Sequence, residues 1–577
     1  MTVLVNDPED FAQEAAEGFV AANRQYVNKC YGGVVRSTRS AKPETAVVIG
    51  GGSGHYPMFN GYVGPGLAHG AVLGNIFASP AASEVVSVCR AANQGKGVLL
   101  LFGNYAGDVL NFTEGAEELR DEGIDVRLLP ISDDIYSGPA SDYLKRRGIA
   151  GDLTVIKAAC AAAANGADLD EVERVAQQAN ERTRSIGVAF SGCTLPGADE
   201  PLFTVPKGKM GVGLGIHGEP GIDETDMPTA NGLAEMMVDS LLKDTPDNLK
   251  GDHPEVVPVL NGLGSFKSEG LFVIYRKIEE LLKQKGIKID DPQVGEFCTS
   301  FDMCGVSLTL FWLTPELKAL WEAPADSPAF RQGNSDSSSQ IHVDQSTVSQ
   351  TEQSASQDAQ ASADSKEAAK RLAGMMRVVA NTIDDKADEL GRIDSVAGDG
   401  DHGIGMKRGA DAAADTAEEE AGKGAGVKTT LQTAAQSWAD KAGGTSGALW
   451  GVMLKAIASV LSDQNKPTGE DIKKGVAKAS QNLMNIGKAK VGDKTMVDSI
   501  VPFATTLNDS ASKLPQAWKE AADAATKAAD ATKDMLPRMG RAKNHGEHDL
   551  GTPDPGAVSF AYIVESLVPE FEGREDL

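Results

Sequence analysis

The chain is poor in cysteine and aromatic residues and has no long apolar run. Its 577 residues contain 5% aromatics and no CxxC pair, and the six cysteines are Cys30, Cys89, Cys160, Cys193, Cys298 and Cys304. This scatter predicts reduced thiols in a cytoplasmic protein and argues against a disulfide framework or a zinc knuckle. No stretch approaches 18 apolar residues and no charged-then-apolar leader opens the sequence. We therefore expect neither a membrane span nor a secretion signal.

Positive charge is also scarce. Lys and Arg number 55 against 82 Asp and Glu, which gives a net charge of −27, and no segment concentrates the basic residues. A nucleic-acid or anionic-membrane partner is therefore not expected. An anionic nucleotide remains compatible, because it needs only a local site with Mg²⁺. The length predicts roughly three to five domains of ordinary size.

The N-terminal part, up to about Leu320, alternates short apolar runs with helical patterns. The helical patterns include 82–92 and 168–185, and the apolar runs are 45–50, 98–103, 126–129, 256–260 and 306–312. This rhythm predicts α/β units whose functional residues lie at the carboxyl ends of strands. A break near 181–197 predicts two subdomains, about 1–185 and 186–325.

A compositional change separates this part from the rest. Ser, Gln, Asp and Ala dominate 332–365, which predicts a flexible linker over 326–364. Ser365 is expected to cap the following helix. Eight Ala-rich segments with a 3.6-residue period then predict an all-α domain over 365–577: 366–390, 406–421, 427–441, 446–463, 470–486, 496–511, 515–533 and 556–568.

An acidic segment lies between the first two predicted helices, within Arg392–Arg408. Asp394, Asp399 and Asp401 fall within eight positions among glycines, and His402 follows. Hard carboxylate oxygens suit Mg²⁺, and a helix N-terminus attracts anions. The alternative is an acidic, solvated loop. The position at a helix junction favours a metal–phosphate site.

Three glycine-rich segments stand out in the N-terminal part, and the first two of them follow predicted strands. Gly50–His55 ends in His55, Asn104–Phe112 contains Asp108, and Met210–Gly221 places His217 between glycines. A tight turn, an N-cap and an exposed histidine are the structural alternatives. The functional interpretation gives each side chain a role. Asp108 would be a carboxylate that takes a proton from a substrate hydroxyl. His217 would be an imidazole, presented at a loop apex with little packing, that acts as a nucleophile or base.

The helical part offers three further segments. Gly443–Gly447 resembles a phosphate-binding nest that opens a helix. The other two, 492–498 and 540–557, contribute Lys494, Arg541 and Asp554. Loop capping explains each segment alone equally well. Together with the acidic segment they describe a site for Mg²⁺ and a nucleotide at one end of a helix barrel.

Taken in order, these segments resemble the dihydroxyacetone kinase family in its single-chain form. The motifs are GGGSGH, NIFASP, NYAGD, GLGIHGEPG, FDMCGVSLTL, AGDGDHG, GGTSG, GDKTM and GRA…DPGA, and the likeness covers roughly 10–320 and 366–570. It implies a DhaK-like ketose-binding domain over 1–325 and a DhaL-like eight-helix antiparallel barrel over 365–577. ATP is implied as phosphate donor because both halves share one chain and nothing resembles a phosphocarrier domain.

The resemblance also implies roles for individual residues. His217 would bind a ketose carbonyl as a hemiaminal, while His55 and Asp108 would orient the terminal hydroxyl and take its proton. The substrate loop would comprise Gly52, Ser53, Gly54 and His55, and Asp394, Asp399 and Asp401 would hold two Mg²⁺. The residues implied to line the nucleotide are His402, Gly403, Thr445, Ser446, Gly487, Met496, Arg541, Asp554, Pro555 and Gly556. A homodimer is implied, in which the helical domain serves its own or the partner's substrate domain.

The sequence departs from the family pattern at three places. Tyr56 stands where most members have Glu, Gly103 where many have Lys, and Gly405 where Asn is common. The missing side chain at 103 is expected to open space beside the ketose pocket, which favours D- or L-erythrulose over dihydroxyacetone. Two alternatives remain: cleavage of FAD to cyclic FMN at the ATP site, as in some relatives, and a non-catalytic regulator.

Overall fold

The chain divides into two units, Met1–Gln353 and Ser354–Leu577. The computed structural model describes residues 4–217, 223–246, 249, 254–333, 340–348, 361–396, 398, 400–539 and 549–572. All six cysteines are free thiols. Among these residues, no helix combines the length and the apolar character that crossing a membrane requires.

The first sheet of the N-terminal unit has six strands. The elements of this region are β1 (Val27–Cys30), β2 (Gly33–Arg36), β3 (Thr38–Ser40), β4 (Ala46–Ser53), β5 (Gly70–Ile76), β6 (Val98–Gly103) and β7 (Val126–Ile131), with α1 (Phe11–Ala22), α2 (Ala82–Ala92), α3 (Ala106–Asp121), α4 (Asp152–Ala164) and α5 (Leu169–Glu181). The order is β1-β2-β5-β4-β6-β7, and β5, β4, β6 and β7 are parallel. The chain passes from β4 to β5 on one side and to β6 on the other. This reversal opens a crevice at the carboxyl ends of β4 and β6.

The second sheet of this unit is mixed. Its elements are β8 (Thr183–Ala189), β9 (Lys209–Val212), β10 (Asp223–Asp226), β11 (Glu255–Gly262), β12 (Lys288–Ile289), β13 (Gln293–Gly295) and β14 (Gly305–Trp312), with α6 (Ala230–Lys243), α7 (Ser268–Gln284) and α8 (Pro315–Trp321). The order is β10-β9-β8-β14-β11-β12, and β13 also pairs with β11. The neighbouring strands β8, β14 and β11 are antiparallel and almost wholly buried.

The five apolar runs are confirmed as strands β4, β6, β7, β11 and β14. They were recognisable because strands covered on both faces are continuously apolar, as Val98–Gly103 is throughout. The predicted break near 181–197 contains the fully buried strand β8 (Thr183–Ala189), which is the first strand of the second sheet along the chain. Thr, Arg and Ser at its beginning hide its apolar character.

The start of the predicted linker also differs from expectation. Short strands β15 (Ala325–Asp326) and β16 (Arg331–Gln332) pair with each other, and β17 (Gln340–His342) pairs with β3. The Asn28 side-chain amide donates to the Val343 carbonyl over 2.8 Å. The first part of 326–364 therefore belongs to the N-terminal unit. Composition missed this because edge pairing uses backbone groups and needs no apolar side chains.

The C-terminal unit is helical throughout its described part, as predicted. Its helices are α9 (Ala363–Asp394), α10 (His402–Lys423), α11 (Val427–Ala442), α12 (Gly444–Ala458), α13 (Gly469–Gly487), α14 (Val497–Asp509), α15 (Leu514–Ala531), α16 (Pro555–Ser566) and the short α17 (Val568–Phe571). From α9 to α16 each helix packs on the next, and α16 returns to α9, so eight helices close a ring. The cap of α9 is Ser362 and not Ser365, whose hydroxyl instead reaches the Ser462 carbonyl.

A buried ionic network holds β4 against the loop that precedes β5. His69 Nδ1 accepts from the Val47 amide over 3.1 Å, and Nε2 donates to Glu44 over 2.9 Å. Burial, reinforced by the Arg36 charge, lowers the pKa of His69 to about 4. Although burial opposes it, the His69 hydrogen bond and Arg36 lower the pKa of Glu44 to about 2. His69 is therefore neutral in the folded state at physiological pH.

This network predicts acid sensitivity of the N-terminal unit. An unfolded histidine titrates near 6.5, so between about pH 6.5 and 4 the unfolded chain binds the extra proton and stability falls as pH decreases, by about 3 kcal/mol in all. His69→Gln retains a donor and an acceptor but cannot titrate, and should flatten the dependence. Urea unfolding at about pH 7 and 5 gives the slope of the unfolding free energy against pH for the wild type and for the variant. Hydrogen exchange of β4 peptides at the same two pH values shows whether the change lies in this region. Equal slopes in the two proteins would contradict the assignment.

Candidate active site

The predicted substrate residues of the N-terminal unit lie at one edge of the first sheet. His55 follows β4 and Asp108 follows β6, and the carboxyl ends of these parallel neighbours meet at the topological switch point. His55 is buried, and its Nδ1 lies 2.9 Å from the Thr299 carbonyl oxygen. Asp108 is buried in the first turn of α3, whose N-cap is Tyr105. Asp108 is therefore not the N-cap.

His217 is not exposed at a loop apex, and the expectation of little packing is wrong. Its side chain is 5% exposed and stands nearly perpendicular to three rings. The ring centroids lie 4.6 Å away for His55, 5.6 Å for Phe77 and 4.3 Å for Tyr105. The structure thus brings the two predicted histidines together. Residues 218–222, which complete the motif, lie outside the described residues.

The glycines of the substrate loop are explained by close packing. A Cβ at Gly52 would lie 2.8 Å from the Ala78 amide nitrogen. One at Gly54, where φ is +106°, would lie 2.8 Å from the Phe77 ring. The Ser53 hydroxyl donates to the Gly74 carbonyl over 2.6 Å. These three residues therefore hold the loop against β5 and the segment that follows it.

The space beside Gly103 is not open, contrary to expectation. A Cβ at Gly103 would lie 2.9 Å from the Tyr105 ring. The Tyr105 hydroxyl donates to the Gly148 carbonyl over 2.8 Å, and its ring contacts His217. The absent side chain at 103 therefore makes room for Tyr105. Sequence reasoning missed Tyr105 because its role depends on residues 148 and 217, far away in the chain.

Two buried acids behind the pocket were also missed. Asp133 accepts from the Ile149 and Gly151 amides over 2.8 and 3.0 Å. Burial raises the pKa of Asp133 to about 6. Burial also raises the pKa of Asp152 well above its usual value, and the charges of Asp133 and Asp108 add to this. Asp108, Asp133 and Asp152 are all buried, so these carboxyl groups share a surrounding with little access to water.

In the helical unit, the predicted residues gather where helix ends alternate. Consecutive helices of a closed up-and-down ring place the C-termini of α9, α11, α13 and α15 beside the N-termini of α10, α12, α14 and α16. Asp394 ends α9, Asp401 is the N-cap of α10 and Asp554 is the N-cap of α16. Thr445 lies exposed in the first turn of α12, and Gly487 ends α13. All of them therefore belong to one end of the ring.

The acidic groups at this end repel one another. Burial raises the pKa of Asp401 to about 7, and the neighbouring Asp394 carboxylate adds to it. Burial likewise raises the pKa of Asp554 to about 7, with Asp394 contributing. Among the described residues no three such groups form a metal cluster, but Asp399 and Arg541 lie outside them. Carboxylates that disfavour their own ionisation fit a divalent cation, which reverses that preference.

His402 joins three helix N-termini. Its Nδ1 lies 3.1 Å from the Ser446 hydroxyl on α12, and its Nε2 lies 3.0 Å from the Ser559 hydroxyl on α16. Burial lowers the pKa of His402, which favours the neutral ring. Converging helix N-termini present free amides and positive dipole ends, which suit phosphate groups. The buried His402 side chain thus holds the N-termini of α10, α12 and α16 together.

Other predicted nucleotide residues have structural partners. The Asp554 carboxylate accepts from the Ala557 amide over 2.7 Å, so Asp554 caps α16, which begins at Pro555. Met496 lies next to Gly556, since a Cβ at Gly556 would be 3.4 Å from that of Met496. Lys494 is buried and paired with Asp549 at 2.7 Å. Lys494 is therefore a structural residue.

Gly403 lies at the contact of α9 and α10. A Cβ at this position would be 1.9 Å from the Ala387 carbonyl oxygen, a backbone atom that moves only if the helices separate. We expect Gly403→Ala to lower the stability of the helical unit by about 1–3 kcal/mol. Gly374→Ala on α9, where no atom lies within 4 Å, is the control and should be neutral or stabilising. Thermal unfolding that ranks the two variants the other way would refute this packing.

Comparisons with known proteins match both units. The family model of the Dak1 domain matches residues 17–329, and the family model of the DAK2 domain matches residues 396–569. The chain belongs to the dihydroxyacetone kinase family in its single-chain form, a family of phosphotransferases that use an alcohol group as acceptor. The resemblance drawn from the motifs is thereby confirmed.

The relatives extend over nearly the whole chain. An L-erythrulose kinase of Pectobacterium atrosepticum is 52% identical over 98% of this chain and 96% of its own length. A D-erythrulose kinase of Mycolicibacterium smegmatis is 49% identical over 98% of both chains. Among solved structures, the dihydroxyacetone kinase of C. freundii in complex with AMP-PNP and Mg²⁺ is 28% identical, with a TM-score of 0.53 over 98% of this chain and 99% of its own.

Proposed function

We propose that this protein is an ATP-dependent kinase that phosphorylates the terminal hydroxyl of a four-carbon ketose, D- or L-erythrulose, with dihydroxyacetone as a second substrate. The observation that carries this proposal is the buried pair of perpendicular imidazoles, His55 and His217, 4.6 Å apart at the switch point of a parallel sheet. The names of the two bacterial relatives support a tetrulose.

Substrate capture in this proposal uses His217. The unprotonated ring nitrogen attacks the ketose carbonyl carbon, a C–N bond forms as the C=O π bond breaks, and the oxygen gains a proton in exchange for the one that the other ring nitrogen releases, which gives a hemiaminal. Polyols such as glycerol lack the carbonyl and are rejected. Three perpendicular rings surround His217, so the attacking nitrogen has a fixed direction. The capture step thus selects for ketoses.

His55 and Asp108 act on the terminal hydroxyl. Both are buried at the same sheet edge, with little access to water, which strengthens hydrogen bonds to the substrate. Asp108 takes the hydroxyl proton while the hydroxyl oxygen attacks the γ-phosphorus of ATP in line, and ADP leaves. Gly52, Ser53 and Gly54 hold the loop that carries His55.

Nucleotide binding uses the alternating helix ends of the second unit. Asp394 and Asp401, with Asp399, would hold Mg²⁺, two ions by family likeness, and the metal would supply positive charge to offset that of the phosphates. Amides at the N-termini of α10, α12 and α16 donate to phosphate oxygens, and neutral His402 fixes these termini relative to one another. The remainder of the nucleotide would be lined by Thr445, Ser446, Gly487, Met496, Arg541 and the 554–556 turn.

A substrate panel tests the proposal. Full-length protein with Mg-ATP is offered D-erythrulose, L-erythrulose, dihydroxyacetone, glyceraldehyde and glycerol, and ADP release is measured. We expect the highest kcat/KM for one erythrulose enantiomer and no turnover of glycerol. A parallel sample with FAD and Mn²⁺ is analysed for AMP and cyclic FMN. Absence of ADP with every ketose would overturn the kinase proposal and favour the lyase or the regulator.

We also propose a cytoplasmic homodimer. The six free thiols, five of them buried, agree with a reducing compartment. Light scattering at several protein concentrations tests the dimer, and a monomer at all of them would exclude it.

A further inference from the structure

Phe77 has an unusual backbone for a bulky residue. Its φ is +54°, in the left-handed region, and its side chain is 3% exposed. This conformation costs a non-glycine residue about 1–2 kcal/mol. Such strain persists only where the surrounding structure enforces it, and it concentrates at functional sites.

The glycine loop is shaped to hold Phe77. The Phe77 amide donates to the Ser53 carbonyl over 2.9 Å. Gly52 allows the Phe77 backbone to approach, because a Cβ at Gly52 would lie 2.9 Å from the Phe77 carbonyl carbon. Gly54 allows the ring to approach, because a Cβ at Gly54 would lie 2.8 Å from a ring atom of Phe77. A side chain at either glycine would block the approach of Phe77, so the loop before His55 is shaped to fit Phe77.

The Phe77 ring contacts both imidazoles in different ways. It stacks on His55 with 4.9 Å between centroids and 11° between planes. It meets His217 edge-on at 5.6 Å and 85°. The two imidazoles themselves stand at 87°. One rigid ring thus lies parallel to the first histidine and perpendicular to the second.

We infer that Phe77 is a positioning residue that sets the right angle between His55 and His217. This inference rests on the proposed function, in which one imidazole must attack the carbonyl while the other addresses the hydroxyl of the same small sugar. A ketose with a few carbons leaves little freedom in that angle. A displacement of about 1 Å in such a site costs about a hundredfold in rate.

Phe301 provides a matched control. It also has a positive φ, +48°, and its ring would meet a Cβ at Gly54 at 2.7 Å. Its recorded ring contacts are with Phe11 at 5.8 Å and Phe77 at 5.5 Å. Phe301 therefore shares the strain and the packing on Gly54 but stands one ring further from the histidines.

The test compares Phe77→Leu, Phe77→Gly and Phe301→Leu in the full chain. Phe77→Gly removes the ring but relieves the backbone strain, so it remains informative if the leucine variant folds poorly. Hemiaminal formation is measured by NMR with a ketose carrying ¹³C at the carbonyl carbon. Steady-state kinetics give kcat, the KM for ketose and the KM for ATP.

We expect both Phe77 variants to lower the hemiaminal fraction and kcat/KM for ketose by about tenfold or more, with the KM for ATP unchanged. Phe301→Leu should stay within about threefold of the wild type. Wild-type capture in the Phe77 variants, or an equal loss in Phe301→Leu, would overturn the inference. A wild type that phosphorylated ketose without forming a hemiaminal would refute the covalent capture step. That result differs from normal hemiaminal formation in the Phe77 variants, which would refute only the role of Phe77.

Discussion

His217→Ala is expected to lower ketose phosphorylation by about a hundredfold or more while ATP binding is retained. The imidazole is the only nucleophile assigned to the carbonyl, and an alanine at this position carries no group that could form the C–N bond. The variant should also show no hemiaminal signal with carbonyl-labelled ketose. ATP affinity should be unchanged, because the residues proposed to bind the nucleotide belong to the other unit.

The control for this prediction is His69→Gln, which alters a buried histidine of the same unit outside the site. It should retain kinase activity even though it changes the pH dependence of stability. Full activity in His217→Ala would remove covalent capture from the account. Loss of ATP binding in His217→Ala would mean that the two functions do not belong to separate units.

Asp401→Asn is expected to abolish the use of Mg-ATP while ketose capture persists. Asp401 is the N-cap of α10 at the end where Asp394 and Asp554 also lie. Asparagine keeps a side-chain oxygen but lacks the negative charge with which Asp401 is proposed to bind Mg²⁺. Isothermal titration with Mg-ATP and hemiaminal detection by NMR measure the two activities separately.

The same variant makes a second prediction for stability. The pKa of Asp401 is raised to about 7, so the metal-free folded state holds a proton that the unfolded chain releases near pH 3.8. Metal-free stability should therefore fall as pH rises from about 4 to 7, and Asp401→Asn should remove this loss. Asp415→Asn, further along α10 and exposed, is the control and should leave activity intact. A variant less stable than the wild type at about pH 8 would contradict the assignment.

The helical unit was the easier half to predict. Its eight segments carry a local 3.6-residue period, and each predicted boundary lies within a few residues of the observed helix. Ala-rich faces mark helix contacts directly, whereas the sequence did not predict that Gly403 packs against the Ala387 carbonyl, a contact compatible with its predicted place beside the nucleotide. A close approach of two helices leaves no local pattern.

The substrate pocket was harder, because it is assembled from distant segments. His55, Asp108 and His217 were found through glycine-rich motifs, but Phe77 and Tyr105 act through ring contacts with residues up to 140 positions away. Their conformation is invisible in sequence: Phe77 adopts a positive φ that only tertiary packing enforces. The polar strand β17 was not predicted for a related reason, because it is fixed by backbone pairing with β3 and not by apolar side chains of its own.

The most direct test is a ³¹P NMR time course of full-length protein with Mg-ATP and erythrulose. We expect the γ-phosphate signal of ATP to be replaced by the signal of one sugar phosphate monoester, with ADP formed in equal amount. Persistence of ATP, or release of inorganic phosphate without an ester, would show that no phosphoryl group reaches a ketose and would contradict the proposed kinase function.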